Sequence, residues 1–220
     1  MNQQDENELK VTHQHFFLND HPLVKKDITI LRDKKTNPEV FRAAVKRISL
    51  ILAVEISKEY RLTKIKVETP LETTTGYQLK QDVVLVPVLR AGLGMVSGFL
   101  EVIPDAKVGH IGLQRNEETL EPVEYYYKTP KDIHSSRVIL LDPMLATGGS
   151  SSEALRYLKK RGVKNCVFAC LVAAPEGLKK IAKEHPDISI FCAALDKKLN
   201  ERGYILPGLG DAGDRTFGTL

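Results

Sequence analysis

The sequence predicts an α/β fold: a mostly parallel sheet flanked by helices, with a protruding hairpin and a C-terminal loop or hood. Three observations lead there. Short, β-branched apolar runs alternate with segments of helical period through the second half of the chain. Two of those runs, 82–89 and 136–141, pass straight into glycine-punctuated turns and then into helices, as strands of a parallel sheet do. The chain of 220 residues, 42% hydrophobic and 27% charged, is also long enough and apolar enough to bury both faces of such a sheet. The whole chain, 1–220, is read as one domain, with residues 1–12 as a polar, disordered tail.

Each element follows from its own pattern. The stretch "TNPEVFRAAVKRISLILAVEISKEY" opens on the cap candidates Thr36 and Asn37 and places Pro38 where a first turn tolerates it. Phe41, Val45, Ile48 and Leu52 fall on one stripe, so a long helix with a buried face is expected. After a polar stretch, "DVVLVPVL" (82–89) is a buried strand, and "RAGLGMVSGFLEVI" runs from its end into a helix. A second strand is expected in "AKVGHIGLQR". The segment "NEETLEPVEYYYK" is polar and then aromatic, with Pro122 in its middle, and reads as an extended excursion or long hairpin covering about 112–130. Strand "SRVILL" (136–141), helix 151–161 closed by Gly162, strand "NCVFACLVAA", helix "EGLKKIAKEH" and strand "DISIFCAAL" complete the alternation. The tail "ERGYILPGLGDAGDRTFGTL" carries Gly203, Gly208, Gly210 and Gly213 without a regular period, so it is expected to be a structured loop or lid.

Composition excludes several classes of function. Lys and Arg number 32 against 28 acids, a net charge of +4 too small and too dispersed for a nucleic-acid surface but suited to a modest anionic ligand. No apolar run approaches the ~18 residues of a membrane span, and the polar start "MNQQDENELK" is no signal peptide, so a cytoplasmic protein is expected. The three cysteines, Cys166, Cys170 and Cys192, lie in apolar strand-like runs and are read as core thiols. Cys166 and Cys170 would share a strand face about 13 Å apart, too far to pair. His13, His15 and His21 lack the carboxylates or thiols of a metal cluster. The aromatics Tyr125 to Tyr127 are expected to pack on the domain's flank or on a partner subunit.

Chemistry gathers first in "LLDPMLATGGSSSEAL". Gly148 and Gly149 allow a tight turn at a helix start, where peptide N–H groups and the hydroxyls of Thr147, Ser150 and Ser151 converge on the positive end of the dipole. The lysine of a nucleotide P-loop is missing. Asp142 would repel a bound phosphomonoester unless hydroxyl donors lay between them, as in a ribose ring. An acid beside an anion nest therefore points to a phosphoribose. Arg90 and the amides of Ala91 to Gly94 would offer a second anion site on the same rim, fit for a pyrophosphate, with Arg115 as a further donor. The spacing of Gly92, Gly94 and Gly98 is one residue longer than the dinucleotide fingerprint. "GLGDAG" (208–213) does match that fingerprint, but too little chain follows for the βαβ unit of about 30 residues that it requires. What that stretch can offer is bare peptide groups.

These residues carry a resemblance. "VILLDPMLATGGS" resembles the phosphoribosyl diphosphate signature of the type I phosphoribosyltransferases. Pro143 stands where that signature usually has a second acid, a departure that the uracil phosphoribosyltransferases share. "VPVLRAGLGM", "QRNEETLEP", "LVAAPEG" and "GYILPGLGDAGDRTFGT" are similar to the same subfamily, in its order, over roughly residues 80–220. The resemblance implies a pentosyltransferase of pyrimidine salvage that joins uracil to 5-phospho-α-D-ribose 1-diphosphate, giving UMP and pyrophosphate. It implies donor contacts by Arg90, Arg115, Asp142, Pro143, Met144, Leu145, Ala146, Thr147, Gly148, Gly149, Ser150 and Asp211. It also implies a uracil pocket of the Ile205 main chain with Gly210, Asp211 and Ala212. Arg90, Arg115 and Asp211 would be the catalytic groups, and Mg²⁺ would arrive with the donor's phosphates rather than in a protein cage. Uracil presents an N3–H donor between two carbonyl acceptors, which peptide groups can read, whereas the amino group of cytosine would face a donor. A homo-oligomer (dimer or tetramer) and a nucleotide effector such as GTP belong to the same expectation. Two rival readings are a pyrimidine-responsive RNA-binding regulator on the same fold, which would need a basic face, and a purine phosphoribosyltransferase, whose pocket would need a side chain for the larger ring.

Overall fold

A computed structural model describes residues 15–115 and 122–219. A nine-stranded sheet organises them. The strands are β1 (Phe16–Leu18), β4 (Val83–Leu89), β5 (Lys107–Val108), β6 (His110–Arg115), β7 (Pro122–Lys128), β8 (Arg137–Leu141), β9 (Met144–Leu145), β10 (Cys166–Ala173) and β11 (Ser189–Leu195). Along the main path the order is β1-β11-β10-β8-β4-β6-β7, and every pairing is parallel except the β6–β7 hairpin. After β4 the chain adds β6 on one side and then returns to add β8 on the other. Connections therefore reverse direction at β4, and ligands of open α/β sheets bind beyond the strand ends at such a switch point.

Helix α1 (Pro22–Arg32), α2 (Pro38–Ser57) and α3 (Leu93–Val102) cover one face, and α4 (Gly149–Lys160) and α5 (Pro175–Glu184) cover the other. Helix α2 behaves as its stripe predicts: Phe41, Val45, Ile48 and Leu52 are all buried, and the Asn37 side chain caps Val40 N–H at 2.9 Å. Strands β8 and β10 are buried almost throughout, in keeping with their unbroken apolar runs. The excursion is a hairpin whose arms are β6 and β7; its tip, 116–121, and the tail 1–14 lie outside the described residues. Tyr125 lies across Gly112, and the Arg161 guanidinium sits 3.6 Å from the Tyr127 ring centroid, so both rings pack on the chain's own flank.

Several elements go beyond the sequence reading. Helix α1 was not foreseen, and within it the buried Asp27 is paired by both forks of Arg47 at 2.9 and 2.6 Å. The polar stretch before β4 is an antiparallel hairpin of β2 (Leu62–Glu68) and β3 (Thr73–Leu79). The tail, expected to be a structured loop or lid, contains a two-stranded β12 (Lys198–Leu199) and β13 (Ile205–Leu206) followed by α6 (Ala212–Phe217). The cysteines are free and buried. Cys170 faces Cys192 across the parallel β10–β11 ladder, a neighbour that spacing along one strand could not reveal. His21 caps α1, its Nδ1 accepting from Leu23 N–H at 3.2 Å. No described helix is long and apolar enough to cross a membrane.

Candidate active site

The loop expected to seat a phosphate joins β8 to α4. Asp142 follows β8 directly and is only 8% exposed, one oxygen accepting from Met144 N–H at 3.4 Å and the Ser151 hydroxyl nearby. Those contacts do not offset burial, which pushes the carboxyl up to about 7. Pro143 and Leu145 work for the scaffold: the Pro143 carbonyl accepts from Leu171 and Val172 N–H, each at 3.0 Å, and the Leu145 side chain is fully buried. Met144 begins the short strand β9, and Ala146 follows it half-buried. The chain then turns at Gly148, whose φ of 78° is open to glycine at little cost. A Cβ on Gly177, at the start of α5, would come within 2.5 Å of the Ala146 carbonyl oxygen, so the loop's approach to α5 requires glycine there.

Helix α4 has no side-chain cap at Gly148. Its first turn contributes only Gly149 N–H to the Thr147 hydroxyl, at 3.3 Å, while Ser152 N–H closes back to Gly148. Thr147 and Ser150 are exposed and Gly149 half-buried at this mouth. A 12-residue helix with no cap at Gly148, beside a buried carboxylate, has the chemistry to receive an anion attached to hydroxyl donors.

The turn after β4 brings Arg90 to the same rim. A Cβ on Gly92 would lie 2.3 Å from the Leu141 carbonyl oxygen, so this turn touches the end of β8, next to Asp142. The Leu89–Arg90 peptide is cis. One expectation fails here. The N–H groups of Gly92, Leu93 and Gly94 bond back to Val88, Arg90 and Ala91 at 2.9, 3.1 and 3.2 Å, because the turn winds straight into α3. Those three N–H groups are taken, which leaves the Arg90 side chain as this turn's candidate for an anion. Arg115 ends β6, next to the undescribed tip of the hairpin.

The tail closes the rim from the far side. A Cβ on Gly213 would sit 3.7 Å from the Ala91 Cβ, and one on Gly203 would sit 3.5 Å from Thr147, so the tail meets both loops. Sequence reasoning missed what bolts it down. Arg32 forks onto Asp196 at 2.6 and 2.8 Å, and the two side chains grip the Gly208 residue, Arg32 through its carbonyl at 2.9 Å and Asp196 through its N–H at 2.8 Å. Arg215, 9% exposed, donates to the carbonyls of Leu31, Leu209 and Asp33 and stacks 4.5 Å above Phe41. Ile205 is buried in β13, Ala212 is buried in α6, and Gly210 is exposed with φ 79°. Asp211 caps α6, its Oδ1 accepting from Asp214 N–H at 2.9 Å. Asp214, passed over in the sequence, is the carboxylate that reaches Arg90, at 3.3 Å.

Comparison with known proteins shows what the chain as a whole is similar to. Residues 18–219 match the family model described as uracil phosphoribosyltransferase. A uracil phosphoribosyltransferase of Malacoplasma penetrans is 54% identical over 203 residues, 92% of this chain and 98% of that protein. Among solved structures, the AQ2163 protein of Aquifex aeolicus superposes with TM-score 0.86 at 40% identity, covering 92% of this chain and 97% of that one. A hypoxanthine phosphoribosyltransferase of Trypanosoma cruzi, 12% identical over 72% of this chain and 76% of its own, reaches TM-score 0.52 and shares the fold alone.

Proposed function

We infer the activity from kinship: the chain belongs to the uracil phosphoribosyltransferase family. It transfers the 5-phosphoribosyl group of 5-phospho-α-D-ribose 1-diphosphate to uracil, giving UMP and pyrophosphate, a step of pyrimidine salvage. The observation that best supports this at the level of atoms is the uncapped start of α4 with Asp142 buried at its mouth.

In this reading the amides and hydroxyls of Thr147 to Ser150 hold the monoester, and Asp142 accepts from the ribose hydroxyls. Arg90, joined by Arg115, neutralises the departing diphosphate. The peptide groups of Ile205 and of Gly210 to Ala212 read uracil and place its nitrogen in line with the anomeric carbon. Charge spreads over the sugar as the diphosphate leaves, so no side-chain nucleophile is needed. Mg²⁺ on the donor's phosphates would supply further neutralisation of the leaving group. Asp211 suits that partner: it is exposed at the rim, its Oδ2 has no partner among the described residues, and one carboxylate complements a cation already ligated by phosphate. The same reading includes residues 1–220 as one domain, a homo-oligomer in the cytoplasm and, on family resemblance alone, a nucleotide effector such as GTP.

The test is conversion of radiolabelled uracil with the diphosphate donor and Mg²⁺, beside cytosine, hypoxanthine and orotate. Labelled UMP from uracil alone is expected. Nucleotide formed from hypoxanthine at a comparable rate would overturn the base assignment.

A further inference from the structure

We propose that Asp214 is a positioning residue for the departure of the diphosphate: from within the base-pocket segment it orients Arg90 toward the leaving group. The proposal rests on the transfer reaction inferred above. Asp214 is itself firmly placed. Its N–H bonds to Asp211 Oδ1 at 2.9 Å, its carbonyl accepts Gly218 N–H at 2.7 Å, and its Oδ1 accepts the Thr219 hydroxyl at 2.6 Å. That same Oδ1 lies 3.3 Å from Arg90 Nη2, while the Phe217 ring centroid lies 6.0 Å from the guanidinium carbon. Two groups of α6 thus flank the guanidinium, and its Nε and Nη1 have no partner among the described residues.

The pair is half in water, with side-chain exposures of 58% and 33%, where an ion pair adds little to stability. Its value lies in orientation. Arginine is rich in rotamers, and one held on one fork spends less freedom when the other fork meets a diphosphate. Because Asp214 is held by its own helix and by Thr219, Arg90 is oriented before either substrate binds.

A double-mutant cycle tests this with the full chain: parent, Arg90→Ala, Asp214→Asn and the two combined, each with the donor and uracil varied in turn. Asp214→Asn is expected to lower kcat/KM for the donor at least about tenfold while the KM for uracil stays within about twofold. In the Arg90→Ala background it should cost nothing further, because the residue it orients is gone. Asp214→Glu should recover part of the loss, and melting temperatures should hardly move. An equal loss in both backgrounds, or a rise in uracil KM matching the donor's, would overturn the role. If Asp214→Asn fails to fold, Asp214→Glu in the two Arg90 backgrounds makes the same comparison. Failure of the underlying reaction would show separately, as a parent protein that forms no UMP.

Discussion

Burial pushes the Asp142 carboxyl up to about 7, so this single group ties stability to pH. A raised carboxyl binds its proton more tightly folded than unfolded. Its contribution to stability is therefore complete below the unfolded value of about 3.9 and is lost as pH rises through about 7. Asp142→Asn cannot ionise, so its advantage over the parent in thermal unfolding should widen between pH 5 and pH 8, by on the order of 2–3 kcal/mol. A gap independent of pH would mean that burial does not govern this carboxyl. The same substitution exchanges one of the two oxygens proposed to accept from the ribose hydroxyls for an NH2 donor, and should raise the donor KM at least about tenfold, whereas unchanged saturation would refute that contact. Asp142 was legible in the sequence because an acid beside a glycine turn at a strand end is a local pattern. Asp196, Arg32 and Arg215 were not, because the contacts that tie the tail to α1 join residues 164 to 184 positions apart and only the fold brings them together.

The elements divide along the same line. Helix α2 and strand β4 could be read because their apolar period is their burial pattern. Hairpin β2–β3 is exposed or half-exposed along its whole length, so no buried face writes an alternation into the sequence. Helix α6 is six residues long and glycine-containing, too short to nucleate alone, and exists because Asp211 caps it and Arg215 anchors it. Helix α1 was readable and was missed: Val24, Ile28 and Leu31 form a stripe, interrupted by the buried Asp27 that Arg47 neutralises. At this scale the base loop makes a prediction of its own. A Cβ at Gly210 would find nothing nearer than Arg215 Cδ at 3.7 Å, so there is room for a side chain, but φ of 79° would force it into the left-handed region. A β-branched residue there costs roughly 1–2 kcal/mol or more, which the loop can relieve by shifting the neighbouring peptides. Gly210→Val should therefore raise the uracil KM at least about tenfold and leave the donor KM and the fold intact. Activity retained at low uracil would move the pocket elsewhere.

Across the whole molecule, three segments far apart in sequence meet at one rim: the turn after β4, the loop after β8 and the tail. Each is assigned one part of the substrate pair, and the product separates them. UMP carries the monoester, ribose and base but no diphosphate, so it should not need Arg90. A ligand at 100 times its Kd stabilises the folded state by about 2.7 kcal/mol, which for a chain of this length raises Tm by roughly 5–10 °C. At a fixed ligand concentration chosen for the parent, Arg90→Ala should keep most of the shift from UMP and lose most of the shift from the diphosphate donor. Asp142→Asn should lose both, because the ribose is common to the two ligands. Gly210→Val should lose the UMP shift and keep the donor's. CMP should protect the parent less than UMP, since its amino group would meet N–H donors in a loop anchored at Gly208 and Leu209 by Arg32, Asp196 and Arg215. If Arg90→Ala abolished protection by UMP as fully as protection by the donor, the leaving group and the monoester would have been assigned to the wrong ends of the rim.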